Sequence, residues 1–466
     1  MRRRQAGILL HISSLPSNFG IGDLGQSAYE FVKLLSESKH SLWQILPIHP
    51  TLYKHDNSPY YSTSLFAGNY LLISPELLFQ DGLIKKQTLE GLRLTSYSKV
   101  PFEALYSLKK RALEEAFREF SPTKDFYDFC EQNHYWLDSY ARFSALLTKN
   151  PSAKLFELWQ DSPDKEAVNF YYFEQYIFQK QFKALKEFAN KLGVFLIGDM
   201  PIYPAPISAD TFQRPELFQL SKEGEPEFVA GVPPDYFSPS GQLWGNPVYN
   251  WQSHKAEGFS WWILRLRRAL ELFDLIRIDH FRGFCAFYKT RGEPSIGEWE
   301  DAPGEDLFST LRSTFPNAKL IAEDLGIIDQ RVNSLRERFG LYSTRVLAFG
   351  LLDKDSIHLP HNHSLKCAVY TTTHDLPPLK SFINTLNPAS RDFFLSYFGS
   401  LEGLIRFAYA SVSELCIVPM QDILMLDESC RYNTPATTFG NWRWKLEELP
   451  NIKDYLKELS QTFSRS

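Results

Sequence analysis

Short apolar runs closed by turn-forming or charged residues recur along the whole chain. They are GILLHI (7–12), LWQILPI (42–48), VFLIGDM (194–200), LIRIDHF (275–281), KLIAED (319–324), TRVLAFG (344–350), AVYTTTHD (368–375) and LCIVPMQDI (415–423). Near-continuous hydrophobic runs, as opposed to strict alternation, are the pattern of strands covered on both faces. Between them, apolar positions recur at a period of 3.6 in QSAYEFVKLLSES, KQFKALKEFANKL, WWILRLRRALELF and DQRVNSLRERF, where Asp329 is placed to cap the helix start. Eight strand patterns alternating with helices predict an α/β fold of the closed parallel (β/α)8 type, a TIM barrel, in preference to an open doubly wound sheet.

Two stretches interrupt the repeat. Residues 76–178 read as mostly helical and are too long for a crossover, which predicts a helical inserted subdomain between residues 1–75, holding the first two strands, and the remainder of the barrel at 179–466. Within that remainder, residues 201–258 are rich in Pro, Gly and aromatics and show neither periodicity. A long ordered loop on a rigid scaffold is where binding groups concentrate, so the substrate is expected there.

Composition narrows the function classes. Lys+Arg 50 against Asp+Glu 55 gives a net charge of -5, without the basic excess that a nucleic-acid backbone or an anionic membrane requires. No window approaches the length of a membrane-spanning helix. The five cysteines contain no C-x-x-C pair and are odd in number, which fits a reducing, cytoplasmic setting, and the basic start MRRRQAGILL is too quickly broken by His11 to read as a signal peptide. Aromatics reach 15%, enough to leave flat faces for a ligand after the core is filled.

Two motifs are set aside. Gly20, Gly22 and Gly25 form a G-x-G-x-x-G, but Pro16 and six other residues separate them from the preceding strand, and no acid ends the next one, so no dinucleotide cofactor is expected. His358, His361 and His363 have metal-like spacing but lie in a Pro-containing loop with only Asp353 and Asp355 as acidic neighbours; a solvated loop is the simpler reading, and no metal is expected.

The informative residues are acids at strand ends: Asp279 in LIRIDHF, Glu323 in LIAED and Asp375 in TTTHD. Taken singly, each reads as well as a helix cap. Together, at the carboxyl ends of barrel strands, they converge on one mouth, where barrel enzymes place their chemistry. Arg277 and Asp279 share a strand face at i and i+2, so the guanidinium is expected to hold Asp279 ionised and oriented. Asp199 is a candidate fourth acid with a structural role. Acids, histidines (His280, His374) and aromatic loops without a cofactor motif suggest glycoside chemistry.

These residues lie in longer signatures: GILLHISSLPS with GIGDLG, LWQILPIHPT, SPYYSTSLFAGN, GDMPIY, AGVPPDYFSPSGQLWGNPVYNW, RIDHFRGF, AEDLG, THD and RYNTPATTFGNWRW. In these, from about Gly7 to about Trp444, the chain resembles the 4-alpha-glucanotransferase (amylomaltase, or disproportionating enzyme) family of the alpha-amylase-like barrel enzymes. The resemblance implies transfer of an alpha-1,4-glucan segment between malto-oligosaccharides with retention. It also implies Asp279 as nucleophile, Glu323 as general acid/base and Asp375 as the acid that grips the sugar hydroxyls. It places Arg277, His280 and His374 in the same subsite, with Tyr60 stacking on the sugar, and Asp324, Asn433 and the Tyr236 to Trp244 segment on neighbouring glucose units; Asp199 is grouped with the substrate-binding set. The chain departs from the family pattern at Leu376-Pro377-Pro378 after THD, at Ile207 in place of an acid, at Thr372 and Ala436 in place of Gly, and at Tyr432 in place of Met. An alpha-1,4-glucan hydrolase on the same scaffold and a glycan-binding protein without catalysis are the competing readings.

Overall fold

The structure is a computed structural model and describes residues 4–94, 98–234 and 240–465. Among them are strands β1 (Gln5–Leu9), β2 (Leu42–Gln44), β3 (Phe195–Met200), β4 (Val229–Val232), β5 (Gln242–Pro247) and β6 (Leu275–Ile278). They continue with β7 (Ala286–Thr290), β8 (Gly297–Asp301), β9 (Leu320–Ala322), β10 (Ser343–Val346), β11 (Cys367–Tyr370) and β12 (Leu415–Pro419). Eight of the twelve form an all-parallel sheet in the order β10-β11-β12-β1-β2-β3-β6-β9. Its two ends meet through a parallel bridge between Ile321 and Tyr342. There the Ala322 N–H donates to the Tyr342 carbonyl at 2.8 Å and the Tyr342 N–H to the Leu320 carbonyl at 2.9 Å. The sheet therefore closes into the expected (β/α)8 barrel, and each of the eight apolar runs supplies one strand. Their side chains are almost all buried because helices cover them outside and neighbouring strands fill the interior.

The periodic segments are helices. Gln26–Glu37 buries Ala28, Phe31, Val32 and Leu35, one face of a 3.6-residue repeat, and the Asp329 carboxylate caps Gln330–Arg338 by accepting from the Val332 N–H. The helical stretch ends in one continuous helix, Lys165–Lys191, that packs against β3 and against Gln26–Glu37. No Gly or Pro interrupts it, so the boundary at residue 178 falls inside a helix and the helical layer shares this element with the barrel. Gln175 and Gln181 on this helix each pair with both backbone groups of one residue, Gly68 and Ser74, and so fix the long loop after β2. Gly68 has no room for a side chain: a Cβ there would lie 2.1 Å from the Phe178 ring.

Residues 201–258 differ from the aperiodic loop expected of them. β4 and β5 lie within this stretch and join β7 and β8 in an antiparallel sheet of order β5-β4-β7-β8. Four residues of VAGV and a QLWGNP broken by Gly and Pro are too short and irregular to show a period of two, which is why the pattern concealed them. Arg265, on the helix Ser260–Leu272, holds the start of this stretch by donating to the Pro201 and Ile202 carbonyls.

Candidate active site

The carboxyl ends of β3, β6, β9 and β11 open into a cleft of about 570 Å³ lined by Tyr60, Trp244, Arg277, Asp279, His280, Glu323, His374, Asp375 and Asn433 among others. Asp279 follows β6 directly and Glu323 follows β9 directly, while Asp375 stands five residues past the end of β11. The three acids thus reach one space from three strands.

Arg277 is the cation among them. Its Nη1 donates to both oxygens of Asp199, at 2.8 and 2.7 Å, and reaches Asp279 Oδ1 at 3.4 Å. The i, i+2 geometry therefore brings Arg277 to Asp279 as expected, but the shorter bonds go to Asp199. Asp199 also accepts from the Tyr60 hydroxyl at 2.9 Å and is 3% exposed. It lies beneath the cleft lining and holds Arg277 and Tyr60, the arrangement of a structural acid. The Tyr60 ring stacks on His374 at 5.1 Å with an interplanar angle of 11°, and Trp442 packs against both.

Arg277 favours the ionised form of Asp279, as expected, but burial outweighs it. Burial pushes Asp279 up to about 7, Arg277 works against that shift, and Asp199 and Asp375 add to it. Glu323 is pushed well above the usual carboxylate range, first by burial and further by Asp279 and Asp375, against the pull of Arg277 and of the His280 N–H. That N–H donates to Glu323 Oε2 at 2.8 Å. Of the two acids, Glu323 is shifted further up and so favours its protonated form more strongly than Asp279.

His280 supplies this bond from a left-handed backbone, φ 46° and ψ 51°, which a β-carbon disfavours by about 1 kcal/mol or more. The turn reverses the chain right after Asp279, and the Phe281 N–H then donates to the Glu323 carbonyl at 3.1 Å. Burial lowers the His280 pKa to about 3, with Arg282 contributing, so the ring is neutral, and Trp244 meets it edge-on at 4.8 Å. On the far wall, Asn433 Nδ2 donates to Asp375 Oδ1 at 2.7 Å and His374 Nε2 lies 3.4 Å from Asp375 Oδ2.

Two of the remaining sequence expectations fall elsewhere. Asp324 is turned away from the cleft: its carboxylate accepts from Arg336, from Arg345 at 3.3 Å and from the Thr344 N–H at 2.6 Å, and it is 2% exposed. Both residues lie just past the end of β9; Glu323 lines the cleft, whereas the Asp324 carboxylate is occupied by these protein donors and does not, so the cleft lining gives no support to the neighbouring-glucose contact expected of it. Tyr236 lies outside the described residues. The three loop histidines do not converge: His358 accepts from the Val346 N–H, His363 bonds Ser411 and His361 bonds Tyr397.

Sequence reasoning missed Trp299 and Ile327, which line the cleft, and Trp442 beside Tyr60, while Leu243 lines it from within the segment expected to do so. Trp299 stands on β8 with the Arg282 guanidinium 3.9 Å from its ring. Trp442 was within reach as part of RYNTPATTFGNWRW, whereas Trp299 was hidden by the unrecognised antiparallel sheet.

Comparison with known proteins adds the following. The family model described as 4-alpha-glucanotransferase matches residues 10–451. The 4-alpha-glucanotransferase of Aquifex aeolicus is 44% identical, covering 99% of this chain and 99% of that protein, and that of Thermus thermophilus is 40% identical over 95% of each. The solved amylomaltase of Streptococcus agalactiae, in complex with acarbose, superposes with a TM-score of 0.94 at 34% identity over 100% of both chains.

Proposed function

The chain belongs to the 4-alpha-glucanotransferase family, and from that premise we propose how its cleft carries out the transfer. The activity is that of the family: an alpha-1,4-glucan segment passes from a malto-oligosaccharide donor to the 4-hydroxyl of a glucose or glucan acceptor. The observation that carries the mechanism is the pairing of two half-buried carboxyls, one keeping its proton more firmly than the other, at adjacent strand ends. Retention uses such a pair roughly 5–5.5 Å apart, one attacking and one protonating.

Asp279 attacks the anomeric carbon as carboxylate while Glu323 donates its proton to the leaving glycosidic oxygen, giving a glycosyl-aspartate and a free 4-hydroxyl on the departing chain. Glu323, now ionised, takes the proton of the incoming 4-hydroxyl, which attacks the same carbon and frees Asp279. Asp375, Arg277, His374 and Asn433 grip the sugar in this subsite, and the Tyr60 ring, backed by His374 and Trp442, supports its face. Trp244, against His280, shields the intermediate from water and offers a face to the acceptor. Five free cysteines support our placing the reaction in a reducing compartment, the cytoplasm.

Incubation with maltotriose tests the outcome. Transfer yields glucose together with maltopentaose and longer chains, whereas hydrolysis yields glucose and maltose alone, which would overturn the reading.

A further inference from the structure

Asp375 and His374 stand on the segment between the end of β11 at Tyr370 and the helix Leu379–Thr385. The Asp375 side chain is 47% exposed, so its place in the cleft depends on how its backbone is held. Part of that hold comes from the chain beyond β12, which contributes no acid to the cleft.

Asp422 lies in the short helix Met420–Ile423 directly after β12 and is 1% exposed. Its Oδ2 accepts from the hydroxyls of Thr371 and Thr372, at 2.5 and 2.6 Å, and its Oδ1 accepts from the Leu379 N–H at 2.7 Å. One carboxylate therefore ties both ends of the segment that carries His374 and Asp375. Pro377 and Pro378 have no N–H, so Leu379 is the first residue after Leu376 with an amide to offer.

Arg431 holds the middle. Its Nη2 donates to the Asp375 carbonyl at 2.9 Å and its Nε to the Asn433 carbonyl at 2.6 Å. Asn433 in turn donates through its N–H to the His374 carbonyl at 3.2 Å and through its amide to the Asp375 carboxylate. The guanidinium fork thus sets the spacing between the two backbones whose side chains pair in the cleft. Neither Asp422 nor Arg431 lines the cleft.

We propose that Asp422 and Arg431 are positioning residues for the transfer reaction, bracing the Asp375 segment so that its carboxylate stands where the bound sugar presents its hydroxyls. This rests on the role given to Asp375 above. A displacement of about 1 Å in such a group is enough to cost about 10²-fold in rate. The bonds of Asp422 are made to neutral donors, and its pKa, raised to about 6 by burial first, is kept from rising further by those same donors.

A double-mutant cycle tests the proposal, with Arg431→Lys, Asp422→Asn and Asp375→Asn made singly and in pairs. Arg431→Lys can reach one carbonyl but not span two. It is expected to lower kcat on maltotriose by about 10- to 100-fold, with KM changed less than about twofold and thermal midpoint within a few degrees of the parent. In the Asp375→Asn background, assayed with alpha-maltotriosyl fluoride so that the residual rate stays measurable, the same change is expected to cost less than about twofold. Asp422→Asn is expected to show the same coupling, and if it fails to fold the Arg431 arm decides alone. Equal fold-losses in both backgrounds would overturn the brace while leaving Asp375 in its role. Full activity of Asp375→Asn on maltotriose would overturn the role of Asp375 and the brace with it.

Discussion

Two carboxyls in this protein, the buried Glu174 in the helical layer and the half-buried Asp279 at the barrel mouth, are both pushed up to about 7 with desolvation as the first cause. Their surroundings differ. Glu174, 2% exposed, accepts on Oε1 from Gln175 at 3.0 Å and from Tyr140 at 3.2 Å, both neutral donors, and its neighbour Gln175 clamps Gly68. Asp279 faces an open cleft, has a cation within 3.4 Å that is shared with a third acid, and stands beside a carboxyl that holds its proton more tightly. A raised pKa is therefore no mark of catalysis by itself. What separates the two regions is convergence: several charged groups aimed at one accessible space, against one carboxyl held by neutral donors away from any cleft.

The sharpest way to break this comparison is to make the same change in both places. Asp279→Asn is expected to reduce turnover by about 10⁴-fold or more, because an amide cannot attack the anomeric carbon, while Glu174→Gln is expected to keep kcat within about twofold. Comparable losses in the two variants, measured on maltotriose, would erase the distinction. Arg277→Lys comes next. The shorter lysine side chain cannot carry its ammonium to the place that the planar guanidinium gives Nη1 between Asp199 and Asp279, and a loss of about 10²-fold in kcat is expected, with the pH profile moved because the cation beside Asp279 is displaced.

The parent profile follows from the same pair. As pH falls through about 7, Asp279 takes a proton and kcat/KM is expected to fall tenfold per unit; as pH rises, activity holds until Glu323 loses its own proton. A rate unchanged from pH 8 to pH 5.5 would contradict that order. In the helical layer the same shift is read as stability. Glu174 has a folded pKa above its unfolded one, so the stability it contributes is complete below about 4.5 and is lost as pH rises through about 7, of order 2–3 kcal/mol. Glu174→Gln is expected to shrink the difference in urea midpoint between pH 5 and pH 8; an unchanged difference would show that Glu174 is not the titrating group.

The smallest effect belongs to the rim. Trp244→Ala is expected to lower transfer more than donor cleavage and to raise the hydrolysis-to-transfer ratio several-fold, since acceptor binding and water exclusion fail together. If the ratio stays constant while both activities and thermal stability fall, Trp244 is packing only.

The barrel was legible because its strands are continuous apolar runs and its acids stand directly at their ends, as at Ile278-Asp279 and Ala322-Glu323. Short, Gly- and Pro-broken strands such as β5 carry no period, so the antiparallel sheet and Trp299 upon it were not. Asp324 shows a different limit. Its place in AEDLG is adjacent to Glu323, yet past the end of the strand its carboxylate turns into the grip of Arg336 and Arg345, partners 12 and 21 positions away. Asp422 and Arg431 were visible as residues but not as braces, since their partners lie about 50 positions away in sequence and meet only in the folded loops.

The central claim is the division of labour between Asp279 and Glu323, and Glu323→Gln with alpha-maltotriosyl fluoride tests it most directly. Fluoride leaves without protonation, so the glycosyl-enzyme is expected to form and, for want of a base, to accumulate. Mass spectrometry of the intact protein should show one added maltotriosyl group, and peptide mapping should place it on Asp279. An adduct on any other residue, or rapid turnover with no adduct, would contradict the assignment.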